Sequence, residues 1–195
     1  MTGRRRVAGP ASPVELPLAE WVVLALLDEA PRHGFALARE LQPPSPIGRV
    51  WTVSRPLTYR AVDQLVNKEL ASPARQEASG GGPTRTILEP TAIGRRAVRA
   101  WRTAPVAHLR DVRSELLVKL LLLERAGVDR RPLIEAQREA FAPMFAALAT
   151  ATPSADTAEG AVELWRHESA RATQRLLAAL LDASGTTGRG SVVEC

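Results

Sequence analysis

The sequence predicts a mainly α fold, made of a half of short helices closed by one β-hairpin and a half of long helices. Three observations predict it. Apolar residues recur three and four apart through most of the chain. That period breaks once, at "ASPARQEASGGGPTRTILEP", where three glycines separate two short alternating stretches. Proline or glycine stops each early helix after a few turns, whereas the later stretches run on much further.

Residues 1–14 carry little pattern and read as a flexible tail. The first helix is expected from about Pro17 to Glu29, apolar on most sides and stopped by Pro31. After a turn at His33-Gly34, a second runs from about Gly34 to Gln42, with Phe35, Leu37, Ala38 and Leu41 as its apolar side. "PPSP", Pro43 to Pro46, ends it, and a connector follows through Gly48 and Trp51. The third begins at Ser54, a residue suited to capping, with Pro56 in the first turn, where a missing N–H costs nothing. On a helical wheel Leu57, Thr58, Ala61, Val62 and Leu65 face inward. Pro56, Arg60, Asp63, Gln64 and Asn67 face outward, with Tyr59 at a boundary. Two strands, about Ala74 to Glu77 and Thr84 to Leu88, form a hairpin tipped by Gly80, Gly81 and Gly82. Thr91 caps a helix to about Trp101, with Ile93, Ala97, Val98 and Trp101 opposite Arg95, Arg96, Arg99 and Arg102. Helix, helix, helix, hairpin, helix is the order of a winged helix-turn-helix domain, here residues 15–104. In that arrangement the third helix faces outward and the hairpin lies beside it as a wing.

Residues 105–183 read as all-helical. "VAHLRDVRSELLVKLLLLERAG" is expected as one helix ending at Gly127, apolar over nearly its whole girth. A second follows with Leu133, Phe141, Met144, Phe145 and Leu148, and Pro143 as a kink site. The last carries Leu164, Trp165, Leu176, Leu177, Leu180 and Leu181. Such a lobe has only a small core of its own, so the surplus leucine points to a partner chain. Leu116, Leu120, Leu176 and Leu180 are the candidate contacts of a helical dimerisation domain. No strict heptad spans several turns. Residues 184–195 read as a second flexible tail.

The 195 residues carry a formal charge of +5, unevenly spread. Residues 1–105 hold 15 basic and 9 acidic side chains, and residues 106–195 hold 11 and 12. A basic half joined to a balanced one is the footprint of a nucleic-acid-binding part beside an interaction part. It is also what scatter in an Arg-rich composition gives, and three of the charges are Arg4, Arg5 and Arg6 in the tail. The single cysteine, Cys195, excludes a disulfide framework and a cysteine-based metal site. "LLVKLLLLE" is too short to span a bilayer, and the N-terminus lacks an apolar signal region, so a soluble, cytoplasmic protein with no membrane partner is expected. "SGGGPT" lacks the ending of a phosphate-binding loop, and no nucleophile elbow or HExxH is present. His33, His108 and His167 lie in separate segments without nearby ligand-spaced partners. No cofactor, no metal and no enzymatic activity are expected.

"ELPLAEWVVLALLDEAPRHGFALARELQ" resembles the opening of PadR-like transcriptional regulators, with their Pro-x-His-Gly-aromatic turn at Pro31, His33, Gly34 and Phe35. Tyr59, Val62 and Leu65 match the tyrosine and following apolar residues of that family's third helix. Glu69-Leu70 stands where Gly-Leu is usual, and Leu88 where the wing closes on an aromatic, followed by Pro90, Thr91 and Gly94 in place of Leu-Thr-x-x-Gly. "VRSELLVKLLLLERAG" is similar to the start of the family's C-terminal helices. The resemblance implies a homodimeric DNA-binding regulator, often a repressor. It also implies that a small hydrophobic or aromatic effector is a possible partner, as for some relatives.

Within that frame Arg60 and Asn67 are the first candidates for base contact, with Gln64 beside them, because arginine can fork onto guanine and asparagine or glutamine onto adenine. Tyr59 and Arg55 suit phosphates better. Arg75 and Arg85 flank the hairpin tip and can reach the backbone or a minor groove of double-stranded DNA. The plain alternatives are a solvated helix face and exposed strand charges. Trp101, Phe141, Met144, Phe145 and Trp165 are candidate lining for an effector pocket, or ordinary core. A second class of function stays open: a protein-interaction module that keeps the winged-helix shape without reading DNA.

Overall fold

The computed structural model describes residues 14–79, 82–150 and 156–186. Arg4, Arg5 and Arg6, the hairpin tip at Gly80 and Gly81, and residues 187–195 lie outside the described residues. The chain runs α1 (Leu18–Glu29), α2 (Gly34–Glu40), α3 (Pro46–Val50), α4 (Arg55–Asn67), β1 (Ala71–Ser79), β2 (Gly82–Pro90) and α5 (Ala92–Thr103). After an irregular stretch come α6 (Leu117–Arg125), α7 (Arg131–Ala149) and α8 (Ala158–Thr186). This is a winged helix-turn-helix followed by a helical lobe, as the sequence predicts. No described helix is long and apolar enough to cross a membrane.

α1 is the central rod. Val22 to Leu27 are all at most 1% exposed, because α4, α5 and β2 pack around it. Its uniform greasiness therefore follows from being covered on every side. α5 crosses at Gly94, where a Cβ would fall 2.0 Å from the Leu70 carbonyl oxygen, so only glycine lets the two segments meet. Thr91 caps α5: its Oγ1 accepts from the Gly94 N–H at 3.1 Å and its hydroxyl donates to the Glu69 carbonyl at 2.8 Å. β1 and β2 pair antiparallel, with Glu77 opposite Arg85 and Arg75 opposite Ile87. The Pro31–Gly34 turn joins them, since Arg32 and Leu88 exchange both backbone hydrogen bonds, at 3.0 and 2.9 Å.

Several details depart from expectation. The connector after α2 contains α3, started by Ser45, whose Oγ accepts from the Gly48 N–H. The outward helix is thus the fourth. Ser54 stands at its N-cap without a side-chain cap bond. Leu57 is 44% exposed, because it sits about 100° round the helix from Thr58, at the centre of the buried stripe. Phe35 and Ile93, expected inside, are also exposed. α8 extends past residue 183 to Thr186.

The largest correction concerns the leucines. The predicted single helix over 106–127 is a 3-10 turn (Leu109–Asp111), a π turn (Val112–Leu116) and then α6. Val118 and Leu122 of α6 enter the winged-helix core, while Leu120 and Leu123 enter the core of the lobe. Its girth is apolar because it lies between two cores of one chain. Leu116 and Leu120 are buried inside that chain, and Leu176 and Leu180 pack against the same cluster from α8. Leu116 and Leu120 therefore offer no free face, whereas Leu176 and Leu180 are half-buried.

α6 also carries the polar joint between the halves. Lys119, 1% exposed, donates to the Ala104 carbonyl at 2.9 Å, pairs with Glu115 at 2.7 Å and lies 4.8 Å from the Trp101 ring centroid. Trp101 Nε1 donates to the same Glu115 at 2.9 Å, and its ring stacks on Trp21 at 5.3 Å. Burial pushes the Lys119 ammonium below its ordinary pKa, against the pull of Glu115. At the far end of α6, Arg125 holds Glu29 of α1 at 2.7 Å and Glu40 of α2 at 2.8 Å; burial pulls its pKa down, but the hydrogen bonds and charges of Glu40 and Glu29 together outweigh it and raise it.

Candidate nucleic-acid interface

α4 presents its outer side because Thr58, Ala61, Val62 and Leu65 are buried in the core, with Val66 packed at its edge. Its last turn closes on Glu69 in the left-handed region, φ 56. There the Leu70 N–H returns to the Leu65 carbonyl and the Glu69 N–H to Val66, the paired bonds of a Schellman cap. This is the place the glycine of the resembling family would take. Glutamate stands there at a conformational cost of about 1–2 kcal/mol. The cap sets the direction in which the chain leaves α4 to start the wing.

Between α4 and β2 lies an open groove of about 840 Å³. Tyr59, Asp63 and Asn67 line it from α4, Thr84, Arg85 and Thr86 from β2, and His33 to Phe35 close one end. His33 shapes that end: its Nδ1 accepts from the Ala36 N–H at 3.1 Å and caps α2, a structural role for this histidine. Gly34 then allows the Tyr59 ring to lie against the backbone, where a Cβ would approach Tyr59 Cε1 to 2.6 Å. Arg55 stands over Phe35, guanidinium to ring centroid 5.5 Å. A tyrosine, a phenylalanine and an arginine are therefore held together at the start of α4.

The seven DNA-contact candidates divide by place. Arg55, Tyr59, Arg60 and Asn67 are exposed along α4, and Gln64 is half-buried. Tyr59, Asn67 and Arg85 share the groove, which Arg60 and Gln64 do not line. Arg75 is held by Glu77 through two hydrogen bonds, at 2.8 and 3.1 Å. Across β1 and β2 two arginines meet two glutamates, Glu77 and Glu89, so the strands of the wing are neutral rather than basic.

The basic half also loses much of its charge internally. Lys68 is paired with Glu20, Arg32 with Glu29, and Arg99 and Arg102 with Asp28. Arg39, Arg49, Arg55, Arg60 and Arg85 are exposed and make no ion pair among the described residues. These five sit on α2, α3, α4 and β2. Arg39 and Arg49 were passed over in the sequence: Arg49 sits in a segment read as a connector, and Arg39 lies on a short helix outside the one read as facing DNA. Phe35 was missed because an aromatic at an apolar helix position reads as core.

The five effector candidates fall in three separate places. Trp101 belongs to the winged-helix core, Phe141, Met144 and Phe145 to the core of the lobe, and Trp165 is 60% exposed on α8.

No family model matches the chain, and no curated protein matches it. Among solved structures it is similar to Bacillus subtilis PadR in complex with operator DNA, at 15% identity and a TM-score of 0.45, over 86% of this chain and 99% of that one.

Proposed function

We propose that the chain is a DNA-binding transcriptional regulator of PadR-like kind, a repressor that acts as a homodimer on an inverted-repeat operator. The observation that carries this reading is the outward face of α4. Arg60 and Asn67 stand clear of the core, and the wing lies alongside across an open groove. In this reading α4 enters a major groove. Arg60 and Asn67 read base edges, with Gln64 at the margin, while Tyr59, Arg55 and Arg85 hold phosphates. The two half-sites lie about one helical turn, near 34 Å, apart. A small hydrophobic effector would release the operator by changing the angle between the two wings.

A fluorescence-anisotropy titration with the region upstream of the chain's own gene tests the reading. Saturable binding tighter than to random duplex at moderate salt is expected, and equal binding to both contradicts it.

Two observations favour a second reading. Glu77 and Glu89 neutralise the wing, and Lys68 is already committed to Glu20. A winged-helix surface so balanced also suits a protein partner. A stable heteromeric complex in pull-downs with DNase, together with absent DNA binding, would select it.

A further inference from the structure

Beside the wing groove lies a second open recess, of about 540 Å³, against α2 and the turn after it. Arg55 joins the two: it stands over Phe35, which lines the wing groove, and itself lines the second recess. Arg39 of α2 and Arg32 line the recess as well, against a single carboxylate, Glu40. Arg39 and Arg55 are exposed and make no ion pair among the described residues. The donors of the neutral side chains there are already used within the chain. Ser45 Oγ donates to the Glu40 carbonyl at 2.6 Å, and Gln42 Nε2 donates to the Val53 carbonyl. Two guanidinium groups are therefore free to bind, and their forked donors suit a phosphate.

Glu40 decides the sign of the recess, and Glu40 is held from the other half of the chain. Arg125 of α6 reaches one of its oxygens at 2.8 Å, and Arg32 lies 3.6 Å from the other. Both arginines also hold Glu29, at 2.7 and 3.0 Å. The four side chains form a closed ring of two arginines and two carboxylates, across α1, the turn after it, α2 and α6. With Arg125 in place the two carboxylates are neutralised, and the charge left in the recess is that of Arg39 and Arg55. With Arg125 withdrawn, Arg32 alone meets two carboxylates, and the excess acid opposes an anion. We propose that this recess holds a backbone phosphate of DNA on Arg39 and Arg55, and that Arg125 switches the site through Glu40. Position selects DNA as the source, since Arg55 opens the helix whose outer face is proposed to read bases; the inference rests on that reading of α4. It gives the lobe a way to act on DNA without touching it. Any movement of α6 that draws Arg125 off Glu40 lowers affinity for the duplex, and a bound duplex favours the position in which Arg125 stays on Glu40.

Anisotropy titrations of the full chain with operator and with random duplex, at several salt concentrations, test both parts. Arg39→Gln is expected to weaken both duplexes by the same factor, roughly three- to tenfold, and to flatten the slope of log affinity against log salt by about one. Arg175→Gln, which removes the same charge from an exposed position on α8, is expected to change neither. Arg125→Gln is expected to weaken both duplexes as Arg39→Gln does, although it lies on α6. Adding Glu40→Gln to it is expected to restore affinity, which loss of a merely structural arginine would not allow. Unchanged affinity and salt slope in Arg39→Gln overturn the site. Inorganic phosphate that raises the Tm of wild type and not of Arg39→Gln, with duplex binding equal in the two, also overturns it and marks a site for a free anion. Arg125→Gln that binds like wild type, or that Glu40→Gln fails to restore, overturns the switch. Random duplex bound as well as operator, with the Arg39→Gln losses in place, supports the site and removes the sequence-specific regulator. Operator preference with Arg39→Gln unaffected does the reverse, and a wild type that binds no duplex overturns both.

Discussion

The two halves solve the same problem, burying apolar helices, to different degrees. The winged-helix half closes on itself: α1 is covered on every side, and the hairpin is pinned to the turn before α2 by Arg32 and Leu88. The lobe does not close. Its core is one cluster around α6, α7 and the second half of α8, and the rest of a 29-residue helix stands exposed with a tryptophan on it. A closed unit can hold a surface in fixed geometry, which a reading helix needs. An unfinished one leaves apolar helix surface open, here Val162 and Trp165. α6 belongs to both, and its Lys119 and Arg125, with Glu115 in the turn before it, tie the unfinished half to the closed one.

The largest expected effect is at that joint. Glu115→Ala leaves the Lys119 ammonium buried without its carboxylate and Trp101 without its acceptor. A loss of about 3 kcal/mol is expected, and calorimetry should show the lobe melting apart from the winged-helix half. A single unshifted transition would mean that the halves are coupled by apolar packing alone.

Gly94→Ala probes the closed half, because the new methyl meets the Leu70 carbonyl oxygen at 2.0 Å. About 2–3 kcal/mol should be lost, seen as a lower urea midpoint. Arg60→Ala leaves the fold intact and should cost about 1–3 kcal/mol on the selected operator only, while Arg85→Ala should weaken all duplexes alike. The reverse pattern in parallel titrations would reassign the two contacts.

Glu69→Gly goes the other way. It relieves a left-handed residue and should raise stability by about 1 kcal/mol, measurable as a higher Tm. The smallest effect is the pH response of Lys119. Its folded pKa is pushed below the ordinary 10.5, so as pH rises the folded chain releases this proton before the unfolded chain does. Wild-type stability relative to Lys119→Met should therefore increase with pH up to about that value. A difference that is flat across alkaline pH contradicts the assignment.

Much of this was legible in the residues, for identifiable reasons. The element order showed because Pro31, Pro43 and the glycine run punctuate it, and Thr91 and Gly94 mark the start of α5 through a local cap. The outward face of α4 showed through its period, apart from Leu57 at the edge of the stripe. What stayed hidden depends on long-range neighbours. The girth of α6 looked like an appetite for a partner because a sequence does not show two cores meeting on one helix. The neutrality of the wing was countable, but the capture of Arg75 by Glu77 and of Lys68 by Glu20 was not. Phe35 was concealed by the same rule that found the core.

Selection of bound duplexes from a random pool, run with wild type and with Arg60→Ala, tests the central claim most directly. Wild type should enrich an inverted repeat with half-sites one helical turn apart, and Arg60→Ala should lose preference at one symmetric base position while keeping the spacing. A wild-type pool that stays random after repeated rounds, or a preference unchanged by Arg60→Ala, would contradict the claim that the outer face of α4 reads DNA.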